Sequence, residues 1–422
     1  MAGMAPRWLV VALALAIAVS SSVACTENEV REDRCERVKS QLDACAGTSF
    51  GRLDCSEVTS ADLDRLDDVS QGLACQALSG VAPIDGDPMS ATCRLLGVGC
   101  VAAVTPAPRR TPTRDPVVLV NGIDTSPLFR YSDRIVSTMR SEGGHRVFLA
   151  TLTPYEPPTV RAPELWTRIE EIRKETGAAR VNLVCHSLGG LDCRYLVSPG
   201  GLAADLGVAP DTMARAVASI TTIGTAHQGT RVADVALGLA PDGAAGAILD
   251  HLGALSGDAF RDRPLERGVH ARAALRALSV AAAPAFNAEI RDAEGVFYQS
   301  WAGYSRPFGV ADGAHDQALA ELCTLADGSS GLPAKGGHDY LALPLLPIAD
   351  VVGTTESSSV RLPNDGLVTV ASAKWGVFRG CIPADHIEQL GQKNLPDVNV
   401  RTGFDVARFY ANVAGDLAER GF

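Results

Sequence analysis

Residues 181–190 read Val-Asn-Leu-Val-Cys-His-Ser-Leu-Gly-Gly. An apolar run of strand length stops abruptly at Ser187, and a helix-compatible stretch follows from Leu188 to Leu196. A buried strand that turns sharply into a helix leaves the serine at the turn projecting above a sheet, with the helix N-terminus facing the space beside it. Small residues belong there because strand and helix pass close to one another. Gly189 and Gly190 meet that need, whereas Cys185 stands where the pattern G-x-S-x-G has its first glycine. A serine hydroxyl is a poor nucleophile until a base takes its proton, so the turn predicts nucleophilic serine chemistry only if a histidine and an acid accompany it.

The chain around this turn alternates short apolar runs with helical periodicity. Pro116–Val120, Arg146–Leu152, Val181–Val184, Ala216–Ile223 and Val296–Trp301 read as strands. Leu165, Ile169 and Ile172 recur at helical spacing until Gly177 stops the helix. Such alternation predicts a mostly parallel sheet with helices on both faces, and functional residues in loops at the carboxyl ends of its strands. No internal repeat interrupts residues 117–422, which form one large α/β domain.

What precedes that domain has a different character. Arg7, the apolar run Trp8–Val19 and the small residues Ser20–Ala24 fit a secretory signal over residues 1–24 better than a membrane span. Ser22-Val23-Ala24-Cys25 is also similar to a bacterial lipoprotein box, with serine in place of the usual leucine, so simple cleavage and lipid anchoring through Cys25 both stay open. Of eleven cysteines, six (Cys35, Cys45, Cys55, Cys75, Cys93 and Cys100) fall in residues 26–103. In an exported chain that density predicts a small disulfide-stapled domain, and zinc is disfavoured because the segment has neither a C-x-x-C pair nor a histidine. Glu27–Cys45 reads as a helix, and Thr59-Ser60-Ala61-Asp62 as the cap of another. Residues 104–116 are a proline-rich linker. A formal charge of -11 without a basic stretch excludes nucleic acid as a partner.

Two further segments complete the chemistry. Val120-Asn121-Gly122-Ile123-Asp124 follows the first strand. It would supply the N–H of Ile123, beside that of Leu188, to stabilise an oxyanion. After the serine, Asn364-Asp365-Gly366-Leu367-Val368 and Ile-Pro-Ala-Asp-His-Ile-Glu-Gln-Leu around His386 come in the order serine, acid, histidine. Ser187, Asp365 and His386 are therefore the candidate triad, with Asp385 and His338 as rivals for the acid and the histidine.

With these motifs in order, the chain resembles the secreted bacterial triacylglycerol lipases of the α/β-hydrolase superfamily across nearly the whole second domain. Val117–Gly122 is similar to that family's oxyanion strand, with Asn121 replacing its histidine, and Val181–Tyr195 to its nucleophile segment. Ser219–Gly229 is similar to its T-T-I-G-T-P-H-R-G loop, Asn364–Val368 to its acid motif, and His386–Gln392 to its histidine motif H-L-D-E-x-x-Q. The resemblance implies an α/β-hydrolase fold and a carboxylic ester hydrolase acting on lipid or ester substrate at a lipid–water interface. A phospholipase or a polyester depolymerase is the alternative, and a non-catalytic lipid-binding or surface-anchoring protein on the same scaffold is the reading from a different class. It also implies a structural calcium near the histidine loop, with Glu388 and Gln392 as ligand positions and Asp350 as the further aspartate. It raises a dedicated folding helper as a partner, and a lid, for which Pro241–Asp258 has the apolar spacing. Cys323 and Cys381 are the candidates for one disulfide, while Cys185 and Cys193 read as buried free thiols or as partners of other cysteines.

Overall fold

The computed structural model describes residues 30–44, 53–70, 78, 91–96, 105–239, 268–306, 313–333, 339–342, 345–353, 361–392, 398–399 and 401–422. The signal and Cys25, the lid segment Pro241–Asp258 and His338 lie outside the described residues. By its contacts the chain divides into two compact units that part between Cys100 and Val101.

The described part of the first unit is helical. Residues 30–44, Ser60–Ser70 and Ala91–Leu96 form helices. Val38 and Leu42 on the first, and Leu63, Leu66 and Val69 on the second, are buried at spacings of three and four, one face of each helix. Thr59 caps the second helix as its sequence predicts: its hydroxyl accepts from Asp62 N at 3.1 Å while its own N–H donates to the Asp62 carboxylate at 3.3 Å. Cys35 is bonded to Cys55, and Cys93 is disulfide-bonded as well. So thin a core gains from covalent closure, because cross-linking restricts the unfolded chain.

In the second unit six strands, β1 Val117–Val120, β2 Val147–Ala150, β3 Val181–His186, β4 Val217–Ile223, β5 Phe297–Gly303 and β6 Val377–Ile382, form one sheet in the order β2-β1-β3-β4-β5-β6. Every neighbouring pair is parallel. Each crossover demands a connection over a face of the sheet, so the central strands are covered on both sides. That is why β1, β3 and β4 are buried at every position and read as continuous apolar runs. On one face Val118, Leu183, Cys185 and Ile220 pack with Leu165, Ile169 and Ile172 of the helix Pro158–Thr176 and with Cys193 and Leu196 of the helix Leu188–Val197. Each such fully buried aliphatic side chain contributes about 1.5–3 kcal/mol. The long helix ends where expected: Gly177 adopts φ 68°, the left-handed conformation that terminates helices. On the other face the C-terminal helix Val406–Glu419 lies against β5, with Phe409 edge-on to Trp301 at 5.1 Å.

This is the α/β-hydrolase architecture that the motif order predicts. β6 escapes the sequence reading because it is a half-exposed edge strand, Val-Phe-Arg-Gly-Cys-Ile, with neither an apolar run nor alternation. Cys323 is bonded to Cys381, so the segment before the acid motif is tied to this edge. The cysteines beside Ser187 are not free thiols: Cys185 is bonded to Cys193, joining the end of β3 to the helix that follows it.

Candidate active site

The site is assembled at the carboxyl ends of the strands. Ser187 is the residue between β3 and its helix, with φ 53° and ψ −129°. A non-glycine residue at positive φ costs of order 1–3 kcal/mol and persists only where its surroundings fix it. Here its N–H donates to Ile223 O at 3.0 Å and its carbonyl accepts from the Thr225 hydroxyl at 2.8 Å. The two following glycines are required by close approach. A Cβ on Gly189 would stand 2.6 Å from Asn121 O, and one on Gly190 2.1 Å from Thr225 Oγ1. Cys185 fits in place of the motif's first glycine because its side chain points away from the site, into the helix-covered face where Cys193 meets it.

The loop after β1 abuts the serine, since a Cβ on Gly122 would meet Ser187 Cβ at 3.0 Å. Ile123 therefore follows directly on the residue that touches the serine, and Leu188 is the first residue of the helix behind it. Asn121 ties this loop down: its side-chain oxygen accepts from Leu152 N at 2.7 Å and its amide donates to Gly122 O at 2.9 Å. Asn121 is thus a satisfied, buried link between the ends of β1 and β2.

Asp365 and His386 come together. The His386 Nδ1 lies 2.8 Å from Asp365 Oδ2, and His386 N donates to Asp365 O at 2.8 Å. Both side chains are buried, and Asp365 carries a full set of donors. Leu367 N and Val368 N reach its Oδ1 at 3.0 and 2.8 Å, and Gln389 Nε2 reaches Oδ2 at 2.8 Å. With Nδ1 turned to the carboxylate, Nε2 is on the opposite side of the ring. The ring also lies 4.5 Å, centroid to centroid, from that of His186, the neighbour of Ser187. Burial pushes His186 well below the ordinary histidine range, with His386 adding to the effect.

The rival acid is occupied elsewhere. Asp385 accepts from Ala342 N at 2.9 Å and from Ile387 N and Glu388 N at 3.0 and 2.8 Å. Its carboxylate belongs to a buried group with Asp339 and Glu388, whose oxygens lie within 4.8 Å of one another. Asn399 Nδ2 donates to Asp339 at 3.0 Å and to Glu388 at 2.5 Å. Three carboxylates so close and so buried repel one another unless a cation or protons neutralise them, and oxygen donors suit a hard divalent ion. Of the ligand positions read from sequence, Glu388 is in this group. Gln392 donates instead to Arg130 O at 2.6 Å, and the side chain of Asp350, on the helix Leu346–Gly353, is outside the described residues.

One residue of the site has no signature in the sequence. Arg161, fully buried on the helix Pro158–Thr176, sends Nη2 to Asn121 O and Gly122 O at 2.9 and 2.8 Å and Nη1 to Thr153 O at 2.9 Å. Its Nε meets Asp192 Oδ2 of the elbow helix at 2.8 Å. Burial holds the Asp192 carboxyl above its usual range in spite of this pairing. The planar fork thus fixes the β1 loop relative to the serine. Lysine keeps the charge but cannot make these four contacts. Arg161→Lys is expected to lower kcat about 10- to 100-fold with KM little changed, checked by steady-state ester hydrolysis on protein whose fold is verified by circular dichroism.

Comparison with known proteins follows the same lines. No family model matches the chain. A triacylglycerol lipase of Vibrio cholerae is 35% identical over 136 residues, 32% of this chain and 39% of the relative. Another, from Pseudarthrobacter phenanthrenivorans, is 36% identical over 129 residues, 29% of this chain and 36% of the relative. Over these segments the chain is similar to triacylglycerol lipases. It spans about two fifths or less of the length of these relatives. Among solved structures, the lipase of Staphylococcus hyicus is 17% identical with a TM-score of 0.46, covering 74% of this chain and 97% of that one.

Proposed function

We propose that the second unit is a serine carboxylic ester hydrolase, with triacylglycerol as its substrate class. The buried Asp365–His386 pair, 2.8 Å apart and with its ring 4.5 Å from that of His186, the neighbour of a serine held at positive φ, carries this reading. Ser187 Oγ attacks the ester carbonyl as His386 Nε2 takes its proton, and Asp365 holds the ring in the tautomer with Nδ1 protonated. The N–H groups of Ile123 and Leu188 receive the negative charge on the carbonyl oxygen. Collapse of the tetrahedral species expels the alcohol, protonated by His386. Water, deprotonated by the same base, then releases the acid from the acyl-serine.

Calcium is the ion that suits the buried carboxylates of Asp339, Asp385 and Glu388, and its role would be structural. Asp385 and Glu388 flank the segment carrying His386, so neutralising their repulsion steadies the base. The disulfides accord with an exported protein, reached through the signal at residues 1–24 and either released or anchored at Cys25.

Hydrolysis of p-nitrophenyl esters from short to long acyl chains, in calcium and in chelator, tests the reading. Turnover that rises with chain length supports a lipase, a short-chain preference makes the enzyme a general esterase, and hydrolysis confined to phospholipid or polyester would reassign the substrate. Chelator is expected to lower the thermal midpoint by several degrees and activity with it. A folded protein that neither turns over any ester nor reacts with a serine-directed phosphonate would leave the non-catalytic lipid-binding reading.

A further inference from the structure

The short turn of helix Glu388–Leu390, directly after His386, carries Gln389, whose side chain is fully buried. Burying an amide is unfavourable unless its hydrogens find acceptors. Here Nε2 donates to Asp365 Oδ2 at 2.8 Å and has Ala384 O at 3.5 Å. Acceptors on this side of the amide fix which end is nitrogen, because an oxygen there would face a carboxylate and a carbonyl. The fold makes room for it. A Cβ on Gly303, the last residue of β5, would collide with Nε2, and one on Gly224, directly after β4 and at φ 58°, would collide with Oε1. Two neighbouring strands thus end at glycines, and the amide occupies the space that their missing side chains leave.

Asp365 Oδ2 is also the oxygen that lies 2.8 Å from His386 Nδ1. The other oxygen, Oδ1, is taken by Leu367 N and Val368 N. A carboxylate oxygen accepts about two hydrogen bonds, so Gln389 fills the last place on the oxygen that orients the base. Without that donor the carboxylate is free to pivot about Oδ1, and the vacated place admits water, so Nδ1–H no longer has one fixed acceptor.

We infer that Gln389 is a positioning residue for ester hydrolysis: acting only through Asp365 Oδ2, it fixes the direction in which the carboxylate accepts from His386 Nδ1 and keeps water from that oxygen. The inference rests on the triad proposed above.

The test is steady-state hydrolysis of one p-nitrophenyl ester by wild type, Gln389→Met, Asp365→Asn and the double variant, in excess calcium so that a weakened ion site does not mimic the effect. Methionine keeps the reach of the side chain and removes the donor. Gln389→Met is expected to lower kcat about 10- to 30-fold with KM within about twofold. In the Asp365→Asn background, where no carboxylate is left to hold, the same change is expected to lower kcat less than about twofold. A further tenfold loss there, or near wild-type kcat in Gln389→Met, would overturn the proposal, whereas turnover retained by Ser187→Ala would overturn the triad on which it rests. The wild-type chain decides even if the methionine variant fails to fold. Gln299 and Gln389 are the buried glutamines among the described residues, so after 15N-glutamine labelling theirs are the side-chain amides expected to exchange slowly with solvent. Phosphonate labelling of Ser187 leaves His386 protonated and draws Asp365 Oδ2 toward the ring, so the Gln389 amide resonance is expected to shift, while that of Gln299, held by Thr221 Oγ1 at 2.9 Å, stays in place. Slow amides that all stay in place on labelling would overturn the proposal.

Discussion

Ser187→Ala is expected to lower kcat/KM for ester hydrolysis by about 10⁴- to 10⁶-fold without loss of fold. The substitution removes only the hydroxyl oxygen that would form the acyl bond. What remains, the N–H donors of the β1 loop and the elbow helix with the substrate contacts, still accelerates attack by water, so a small residual rate is part of the expectation. Stability gives a second, separable readout. The backbone at φ 53° is strained for any residue with a Cβ, and alanine keeps that strain. Ser187→Gly should therefore be as inactive as Ser187→Ala but unfold at an equal or higher temperature, since glycine adopts positive φ freely. Calorimetry on the three proteins beside steady-state kinetics checks both. Near wild-type turnover in either variant would remove Ser187 from the chemistry. A lower midpoint for glycine than for alanine would show that the turn is not strained.

The contrast between Ser187 and Arg161 shows what a sequence of this kind exposes. Ser187 is legible because its constraints are local: an apolar strand before it, small residues after it, a helix beyond. The central strands are legible for a related reason, since burial on both faces forces continuous apolar runs. Asp365 and His386 are legible only through chain order and neighbouring residues, and their approach to 2.8 Å is a fact of three dimensions. Arg161 sits in a helix among exposed charged residues such as Glu170, Glu171 and Glu175, with nothing in the periodicity to distinguish it. Its burial arises from packing against segments 31 to 40 residues away in the chain. Asp339 illustrates the same limit. It joins Asp385 and Glu388 across more than forty residues, a proximity that nothing in the sequence around it announces. Cys185 and Cys193 are eight residues apart, but only the strand-to-helix turn between them makes their bond feasible.

Asp365→Asn is the substitution whose effect depends most closely on this geometry, and it is expected to lower kcat by about 10⁴-fold with KM little changed. The carboxylate accepts four N–H groups, two on each oxygen. An asparagine can place its one oxygen toward Leu367 N and Val368 N, which keeps the turn intact. Its amide nitrogen then faces His386 Nδ1 and Gln389 Nε2, both donors to the native carboxylate. Two donors cannot share a hydrogen bond, so the imidazole must adopt the tautomer in which Nδ1 accepts and Nε2 carries the proton. In that form Nε2 cannot take a proton from Ser187, and the base is lost although every ring atom stays in place. Gln389, whose side chain fills the space that a Cβ on Gly224 or Gly303 would take, relieves its own share of the conflict only by turning its amide, which leaves the clash at His386 in place. Steady-state kinetics, with circular dichroism to verify the fold, checks this. A variant that keeps more than about a tenth of wild-type kcat would mean that a different carboxylate orients the ring. Asp385, the residue before His386, would then be the next to replace, and its loss should also weaken the metal response that the Asp365 variant leaves untouched.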